Sequence, residues 1–258
     1  MASIDLNCDM GESFGNYTLG LDAQVMEHIT SANVACGFHA GDPVVMGRTI
    51  ELAMGNRVSL GAHPGLPDLV GFGRRKMACT PDEVYHDILY QIGALQSMAK
   101  AHQGRLNHVK PHGALYHMVL DDRDMARAVA QAVHDLDPSL LCVTLAGPRG
   151  DLMHQVCAET GLHVIREAFP DRAYTADGRL APRGTPGAVV TEPKLVAERA
   201  VHMACKQAVT SVDGQTVSLQ AQTLCVHGDT PTALELVKSI CQALDAGNVA
   251  LQAMSVQE

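Results

Sequence analysis

Aromatic side chains are scarce in this chain of 258 residues: they make up 3% of the sequence, and tryptophan is absent. Hydrophobic residues nevertheless make up 47%, so a sizeable core must be packed mainly with alanine, valine, leucine, isoleucine and methionine. At this length, one large α/β barrel that spans residues 1–258 as a single domain is favoured over two small domains.

Positive charge is also in short supply, and the formal net charge is -9. This balance argues against a nucleic acid or an anionic membrane surface as the partner. No segment approaches the roughly 18 consecutive apolar residues of a membrane span, and the first residues lack the basic flank and apolar run of a signal peptide. We therefore expect a cytoplasmic protein.

Several common chemical signatures are missing. The eight cysteines are scattered without a C-x-x-C pair, which favours reduced thiols over a disulfide framework. The sequence has no phosphate-binding G-x-x-x-x-G-K-[ST] loop, no G-x-G-x-x-G after a strand and no G-x-S-x-G nucleophile elbow. Nucleotide binding through these loops and catalysis by an elbow serine are therefore not expected.

Short apolar runs alternate with helical patterns along the whole chain, which predicts an α/β fold with parallel strands buried on both faces. The runs are Ile4–Cys8, Asn33–Phe38, Arg57–Ala62, Leu106–Lys110, Leu141–Ala146, His163–Glu167 and Thr223–His227. They predict a seven-stranded parallel β/α barrel, and Thr216–Leu219 is expected to add a small extra strand. Two long connections, 63–79 and 168–191, follow strands and have the length of functional loops.

Titratable side chains come directly after most of these strands. Because the carboxyl ends of parallel strands meet at one rim of a barrel, we expect these side chains to share one cavity. The candidate catalytic residues are Asp9, His39, His63, Lys110 and His112. The candidate substrate-binding residues are Glu12, Asp171, Arg172, Arg183 and His227.

Other polar residues are more simply structural. Asp42 and Asp229 each precede the start of a helical pattern, where an aspartate most often caps the helix. His117 lies on a helical pattern and is assigned to the surface. Arg74 and Arg75, in the first long connection, are weaker candidates for binding an anion.

Two uses of the strand-end cluster remain open on the sequence alone. Asp9, His39 and His63 leave three consecutive strands and could hold a divalent metal with open coordination positions. Without a metal, Asp9 could act as a general base while His39 or His63 donates a proton. Lys110 would then stabilise an oxyanion electrostatically.

Six stretches, in order along the chain, carry a resemblance to a known family. They are DLNCDMGESFG (5–15), SANVACGFHAGDP (31–43), GAHPGLPDLVGFGRR (61–75), VKPHGALY (109–116), REAFPDRAYTADGRLAPRG (166–184) and CVHGDTP (225–231). The chain resembles the LamB/YcsF family, whose members include the A subunit of bacterial 5-oxoprolinase. The resemblance implies a seven-stranded β/α barrel of the carbohydrate deacetylase type. Because related deacetylases hold a metal with one Asp and two His, it also supports the metal alternative.

The activity that the resemblance implies is hydrolysis of 5-oxoproline to glutamate, coupled to ATP. Because this chain shows no nucleotide-binding motif, we expect ATP to bind mainly to partner subunits B and C, which resemble carboxylase and allophanate hydrolase. This chain would then open the activated ring. The alternatives are a stand-alone metal-dependent deacetylase or amidohydrolase acting on a small amide or carbohydrate, and a non-catalytic subunit for ligand binding. The sequence is also compatible with a homo-oligomer.

Overall fold

The computed structural model describes residues 2–228 and 232–256, which contain ten strands and eight α-helices. The strands are β1 (Ala2–Met10), β2 (Ser31–Ala35), β3 (Ser59–His63), β4 (Leu106–Val109), β5 (Leu141–Leu145), β6 (Val164–Ala168), β7 (Ala208–Thr210), β8 (Thr216–Ser218), β9 (Thr223–Val226) and β10 (Val249–Leu251). The helices are α1 (Asp22–Val25), α2 (Pro43–Asn56), α3 (Pro81–Ala101), α4 (Gly113–Asp121), α5 (Arg123–Leu136), α6 (Asp151–Glu159), α7 (Pro193–Lys206) and α8 (Ala233–Ala246).

Seven of the strands close a parallel barrel, as the sequence predicts. Strands β1 to β6 pair in chain order, and β9 pairs with both β6 and β1 to complete the ring. Each predicted apolar run overlaps one barrel strand, although several strand ends differ by two or three residues. The carboxyl ends of all seven strands therefore face the same side of the molecule.

Three short strands lie outside the barrel ring. The strand predicted near Thr216 is β8, and it pairs with β7 in an antiparallel hairpin. Strand β10, which the sequence pattern did not indicate, runs parallel to the first residues of β1. The two long connections are present, and the second contains an isolated antiparallel bridge between Tyr174 and Leu180.

Helices α2 and α3 begin at predicted capping residues. The Asp42 carboxylate accepts hydrogen bonds from the backbone N–H groups of Val44 and Val45, so its role as a helix cap is confirmed. Thr80 and Glu83 form a reciprocal capping box at the start of α3. Asp229, the other predicted cap, lies outside the described residues. In the described ranges, no helix combines the length and the apolar character needed to cross a membrane.

The barrel strands are buried on both faces, as the sequence predicts, but the face of β1 that points into the barrel is polar rather than apolar. Along β1, Ile4, Leu6 and Cys8 belong to the main hydrophobic core. The alternating residues Asp5, Asn7 and Asp9 are also buried. Hydrogen bonds of these polar side chains reach other strands across the ring, which is how buried polar groups avoid the cost of desolvation. The eight cysteines, all in the described ranges, are free thiols.

Candidate active site

A cavity of about 350 Å³ opens at the carboxyl ends of the barrel strands. This volume falls in the range of small-molecule sites, about 300–1,000 Å³. Seven of the ten predicted site residues line it: Asp9, His63, Lys110, His112, Arg172, Arg183 and His227. The other three, Glu12, His39 and Asp171, are buried outside this lining.

A buried lysine between two carboxylates forms the floor of the cavity. Lys110 Nζ lies 2.7 Å from Asp9 Oδ1 and 3.1 Å from Glu167 Oε1. Burial opposes the ammonium form, but Asp9, Cys225 and Glu167 together hold the pKa of Lys110 well above its ordinary value. Burial would likewise raise the pKa of Asp9, but the charges of His63 and Lys110 hold it well below its ordinary value. Lys110 is therefore a permanent cation, and Asp9 a permanent anion, at neutral pH.

Two asparagines inside the barrel hold these carboxylates in position. Asn33 Nδ2 donates to Asp9 Oδ1 at 2.9 Å and to Asn7 Oδ1 at 2.7 Å. Asn7 Nδ2 in turn donates to Glu167 Oε1 at 3.1 Å. Sequence reasoning missed this layer, although a signal was present: Asn7 and Asp9 are two residues apart and so share a strand face. The two-residue spacing of Asn7 and Asp9 therefore predicts a polar strand face that points into the barrel.

The neighbouring histidines His63 and His112 have determined tautomers. His63 Nδ1 lies 2.7 Å from the Lys110 carbonyl oxygen, and His112 Nε2 lies 2.8 Å from the Phe72 carbonyl oxygen. Because a carbonyl oxygen only accepts hydrogen bonds, each of these nitrogens must carry a proton. The remaining nitrogens, His63 Nε2 and His112 Nδ1, face each other at 2.9 Å. If both rings were neutral, the lone pairs of these two nitrogens would point at each other and repel. A proton or a metal ion must therefore lie between them.

A buried cluster of one glutamate and three histidines could bind that metal ion. Ligand atoms of Glu12, His39, His63 and His112 all lie within 4.8 Å of one another. This set shares His39 and His63 with the predicted ligands but has Glu12 and His112 where the prediction has Asp9. Asp9 Oδ1 is engaged by Lys110, while its Oδ2 lies 3.4 Å from His63 Nε2.

The donor chemistry fits a divalent cation. Burial, followed by the neighbouring histidine charges, lowers the pKa of His39 and of His112 well below the ordinary value, so both rings are neutral. Neutral imidazoles and a carboxylate suit zinc and similar metals. However, the His39 and His112 rings stack 3.7 Å apart and nearly parallel. Since each lone pair lies in its ring plane, one ion cannot meet both without a ring rotation.

A carboxylate–imidazole pair forms another wall of the cavity. Asp171 Oδ2 lies 2.6 Å from His227 Nδ1 and also accepts from the His227 backbone N–H. Burial would raise the pKa of Asp171, but the charge and hydrogen bonds of His227 lower it below its ordinary value. The His227 ring also stacks on Phe169, with centroids 5.5 Å apart. Asp171 therefore lies behind His227 and orients it, whereas the sequence pattern had placed both as substrate contacts.

Two arginines, Arg74 and Arg183, line the rim of the cavity. His117 also lines it and is exposed, as the sequence pattern predicted. Desolvation, followed by the nearby arginine charges, lowers the pKa of His117, so its ring adds no positive charge at neutral pH. The predicted anion clamp Arg172 also lines the cavity, but its Nε and Nη2 donate to the backbone carbonyls of Ala188 and Ala181. Two of its donors are thus used within its own loop. Arg75 is paired with Asp68 and does not line the cavity.

The cavity also contains residues that the sequence pattern did not single out as site residues. Tyr116, Glu167 and Phe169 line it, and each follows or ends a barrel strand on the same rim. Glu167 was visible at the end of a predicted strand, and Tyr116 lies one helical turn beyond Lys110 and His112. Their contribution depends on side-chain directions that spacing alone does not provide.

Fold and site together define a class: a parallel β/α barrel whose carboxyl-end mouth gathers a buried lysine, carboxylates and imidazoles in a cavity of small-metabolite size. Within that class, the chain belongs to the LamB/YcsF family, whose model matches residues 4–258. This confirms the resemblance seen in the sequence.

Relatives of similar length share about half of their residues with this chain. A protein of Syntrophobacter fumaroxidans, named as the A subunit of 5-oxoprolinase, is 53% identical over 253 residues, which cover 98% of this chain and 99% of the relative. A protein of the same name from Pyrococcus abyssi is 52% identical over 246 residues, covering 95% of each chain.

Solved structures support the fold. The lactam utilization protein from Thermus thermophilus has a TM-score of 0.92 and 46% identity, covering 98% of this chain and all (100%) of that one. The catalytic domain of a peptidoglycan N-acetylglucosamine deacetylase from Eubacterium rectale has a TM-score of 0.50 and 12% identity, covering 99% of this chain and 89% of that domain. The second likeness concerns the fold alone.

Proposed function

We propose that this chain, acting as one barrel domain over residues 1–258, is the ring-opening subunit of an ATP-dependent 5-oxoprolinase in the cytoplasm. The observation that carries the proposal is the small cavity with a buried Lys110–carboxylate floor and a cationic rim. The names of the relatives, the A subunit of 5-oxoprolinase and a lactam utilization protein, point to the same substrate.

The rim and the floor suit opposite ends of 5-oxoproline. Arg74 and Arg183 at the rim attract the substrate carboxylate, and a guanidinium can hold a carboxylate by two hydrogen bonds. The positive charge of Lys110 stabilises negative charge that develops on the lactam oxygen. It acts mainly through its field, because Asp9, Glu167 and Cys225 already lie within hydrogen-bond distance of its ammonium group.

Proton transfer is assigned to the imidazoles that line the cavity. A carboxylate whose pKa is far below neutrality is a weak base, so Asp9 serves as the anion that holds Lys110 and His63. His63 and His227 occupy different walls and can move protons to and from the water and the ring nitrogen. This replaces Asp9 as the general base considered from the sequence.

ATP is assigned to partner subunits, named B and C. The five-membered lactam is unstrained, so its carbonyl needs activation before water attacks. This chain has no recognisable nucleotide-binding motif, so activation occurs on the partners and ring opening occurs here. Channelling within one assembly also keeps a labile activated intermediate away from bulk water.

A divalent metal is the second component of the proposal. Glu12, His63 and His112 would hold it, with His39 joining after a ring rotation. Proton transfer would then fall to His227 alone, because both nitrogens of His63 would be occupied. When bound, such an ion supplies Lewis acidity towards a carbonyl or a bound water. The same cluster favours a second candidate function, a metal-dependent amidohydrolase or deacetylase that acts on a small amide without partners.

The decisive experiment is reconstitution with 5-oxoproline, ATP and the two partner subunits. We expect no ring opening by the purified chain alone and glutamate formation by the complete assembly. Asp9→Asn and His63→Ala should each lower turnover at least about 100-fold, while Asp177→Asn, in an exposed part of the second long loop, should not. Unchanged turnover in both site variants would refute the assigned site. Ligand binding without turnover would indicate a role in binding only.

Elemental analysis of the same preparation separates the two candidates. Full activity of metal-free assembly would exclude the amidohydrolase and the metal together. Hydrolysis of simple amides by the chain alone, lost with a chelator and restored by zinc, would support the second candidate over the first.

A further inference from the structure

Two arginines in the cavity wall carry positive charge without a salt bridge to a described carboxylate. Arg172 is 4% exposed, and Arg183 is half-buried. Neither forms a salt bridge within residues 2–228 and 232–256, whereas five other arginines do: Arg75, Arg123, Arg127, Arg149 and Arg179. A buried charge without an ion pair is costly, so these two arginines indicate that the cavity binds an anionic ligand.

The Arg172 guanidinium is held in place, and one of its nitrogens remains for a ligand. Its Nε donates to the Ala188 carbonyl at 3.2 Å, and its Nη2 donates to the Ala181 carbonyl at 2.6 Å. Its Nη1 bonds no described residue and is not among the inaccessible atoms that lack a partner, so it reaches the surface of the cavity that Arg172 lines. A guanidinium that is already fixed loses little conformational freedom when it binds an anion.

The two guanidinium groups also lie within each other's electrostatic field. Burial, followed by the charge of Arg183, lowers the pKa of Arg172 to about 10, so Arg172 is still a cation at neutral pH. The nearby Asp171 carboxylate opposes this shift, but its Oδ2 is bound to His227. One anion that contacts both guanidinium groups would stabilise the two like charges together.

Arg74 marks a different side of the cavity mouth. It lines this cavity and also an adjoining pocket of about 330 Å³, which Lys76 lines as well. Arg172 and Arg183 line the first cavity and not the adjoining pocket. The mouth therefore has two cationic sides, and a ligand with two anionic groups can occupy both.

We propose that Arg172 and Arg183 form a subsite for a phosphoryl group on the ligand, while Arg74 keeps the substrate carboxylate. A phosphoryl group carries a charge of about -1.5 to -2 at neutral pH and has three terminal oxygens, so it suits two guanidinium groups better than one carboxylate does.

This inference rests on the proposed function, in which the ligand reaches the cavity after activation by ATP on the partner subunits. In that step a bond forms between the lactam oxygen and the γ-phosphorus of ATP, the bond from this phosphorus to ADP breaks, and the ring nitrogen loses its proton. The activated ring then carries a carboxylate and a phosphoryl group together, which match the two cationic sides of the mouth.

The first test uses the full chain and inorganic phosphate as the probe. The chain is first freed of metal with a chelator, because phosphate also binds divalent ions. Calorimetric titration should show saturable binding of phosphate, at least about tenfold tighter than binding of acetate. The absence of saturable phosphate binding overturns the proposal. Equal affinity for the two anions also overturns it, since the subsite would then serve a carboxylate.

Variants then locate the bound phosphate. Arg183→Gln should weaken phosphate binding at least about tenfold, and it breaks no hydrogen bond between described residues. Arg172→Lys keeps the charge but loses the planar fork, so it should weaken binding to a similar extent. Arg179→Gln is the matched control, since Arg179 lies in the same loop, is exposed, pairs with Asp177 and does not line the cavity.

The control should bind phosphate within about twofold of wild type. Urea denaturation verifies that each variant is folded, and the Arg183→Gln result decides alone if Arg172→Lys is not. An Arg183→Gln chain that binds phosphate as tightly as wild type refutes the subsite. Equal weakening in Arg183→Gln and Arg179→Gln refutes it as well, because it would reflect the net charge of the loop.

The outcome is distinguishable from failure of the proposed function. An assembly that turns over 5-oxoproline while its chain binds no phosphate at these arginines would leave the function standing and remove this subsite. A chain that binds phosphate there, in an assembly that forms no glutamate, would keep the subsite and remove the function.

Discussion

At the scale of single residues, the buried Asp171 carboxylate fixes the orientation of the His227 ring in the cavity wall. Asp171 is 1% exposed, and its Oδ2 accepts both from the ring and from the backbone of His227. His227 Nδ1 therefore carries a proton, and the ring lines the cavity. Asp171 acts through His227 and is a positioning residue.

We predict that Asp171→Asn lowers kcat of the reconstituted enzyme by about 10- to 100-fold with little change in KM. The variant replaces a carboxylate, which only accepts hydrogen bonds, with an amide that can also donate, and so permits the wrong tautomer of the His227 ring. A loss in kcat with KM and the urea unfolding midpoint unchanged separates this positioning role from a structural defect. Steady-state kinetics and urea denaturation measure these effects.

The control for this prediction is Asp177→Asn in the same long loop, where the carboxylate pairs with Arg179 at the surface. It should leave kcat and KM unchanged. An Asp171→Asn enzyme with wild-type kinetics would show that His227 needs no orientation for the reaction.

At the scale of elements, strand β3 has glycine at position 61 because the His108 side chain occupies the space that a larger residue would need. A Cβ on Gly61 would lie 2.0 Å from His108 Nε2, which is far inside contact distance. His108 extends from β4 into the barrel, where its Nε2 bonds Asn33 Oδ1 at 2.8 Å. Asn33 in turn donates a hydrogen bond to Asp9. The glycine on β3 therefore leaves room for the hydrogen-bonded pair of His108 and Asn33 beneath Asp9.

We predict that Gly61→Ala lowers the free energy of unfolding by at least about 2 kcal/mol, because the methyl group forces the His108 ring aside. Urea denaturation measures the change. Gly55→Ala is the matched control: it lies in α2 with open space around it, and it should be neutral or stabilising by up to about 1 kcal/mol.

The cause can be checked with the double variant Gly61→Ala/His108→Ala. If the clash with the imidazole is the origin of the loss, the two changes together cost less than the sum of the single changes. Strict additivity would place the strain elsewhere in β3.

Sequence spacing indicated the seven barrel strands and the rim, but not this interior layer. His108 on β4 and Lys110 directly after it are two residues apart, as Asn7 and Asp9 are on β1, so the polar face was present in the pattern. These polar residues were included in runs identified by their apolar members, because burial was expected on both faces of each strand. The need for glycine at position 61 depends on a contact between two strands, which a single-strand pattern does not contain.

At the scale of the whole molecule, another buried carboxylate, that of Asp5, lies at the end of the barrel opposite the cavity. Asp5 accepts hydrogen bonds from the hydroxyl groups of Thr30, Ser31 and Thr223, which belong to or flank β2 and β9 on either side of β1. Burial outweighs these bonds and raises the pKa of Asp5 to about 6. The folded protein therefore binds a proton here more tightly than the unfolded chain does.

The raised pKa of Asp5 lowers the free energy of unfolding as the pH rises. The stability contributed by protonated Asp5 is fully present below pH 4 and is lost as pH rises through about 6. We predict that the free energy of unfolding of wild type, minus that of Asp5→Asn, falls by up to about 3 kcal/mol over this pH window. The pKa of Asp5 is raised by about two units, and each unit corresponds to about 1.4 kcal/mol. Urea denaturation at intervals from pH 4 to 7 measures the difference.

Asp213→Asn, in the exposed turn between β7 and β8, controls for the loss of a carboxylate in general. Its stability difference from wild type should stay constant over the same pH range. A constant difference for Asp5→Asn as well would mean that Asp5 does not bind the additional proton.

The sequence by itself determined the class of fold, the family, and the end of the barrel where chemistry gathers. The hydrophobic period and the polar residues at strand ends are local features of the sequence. Because the strands are parallel, their carboxyl ends lie at the same rim of the barrel, and the polar residues meet there. Only the tertiary structure decided which atoms meet: His112 beside His63, Glu12 near both, and Asp171 behind rather than beside the cavity. Those pairings join residues far apart in sequence, and they depend on ring closure and side-chain direction, which no local pattern contains.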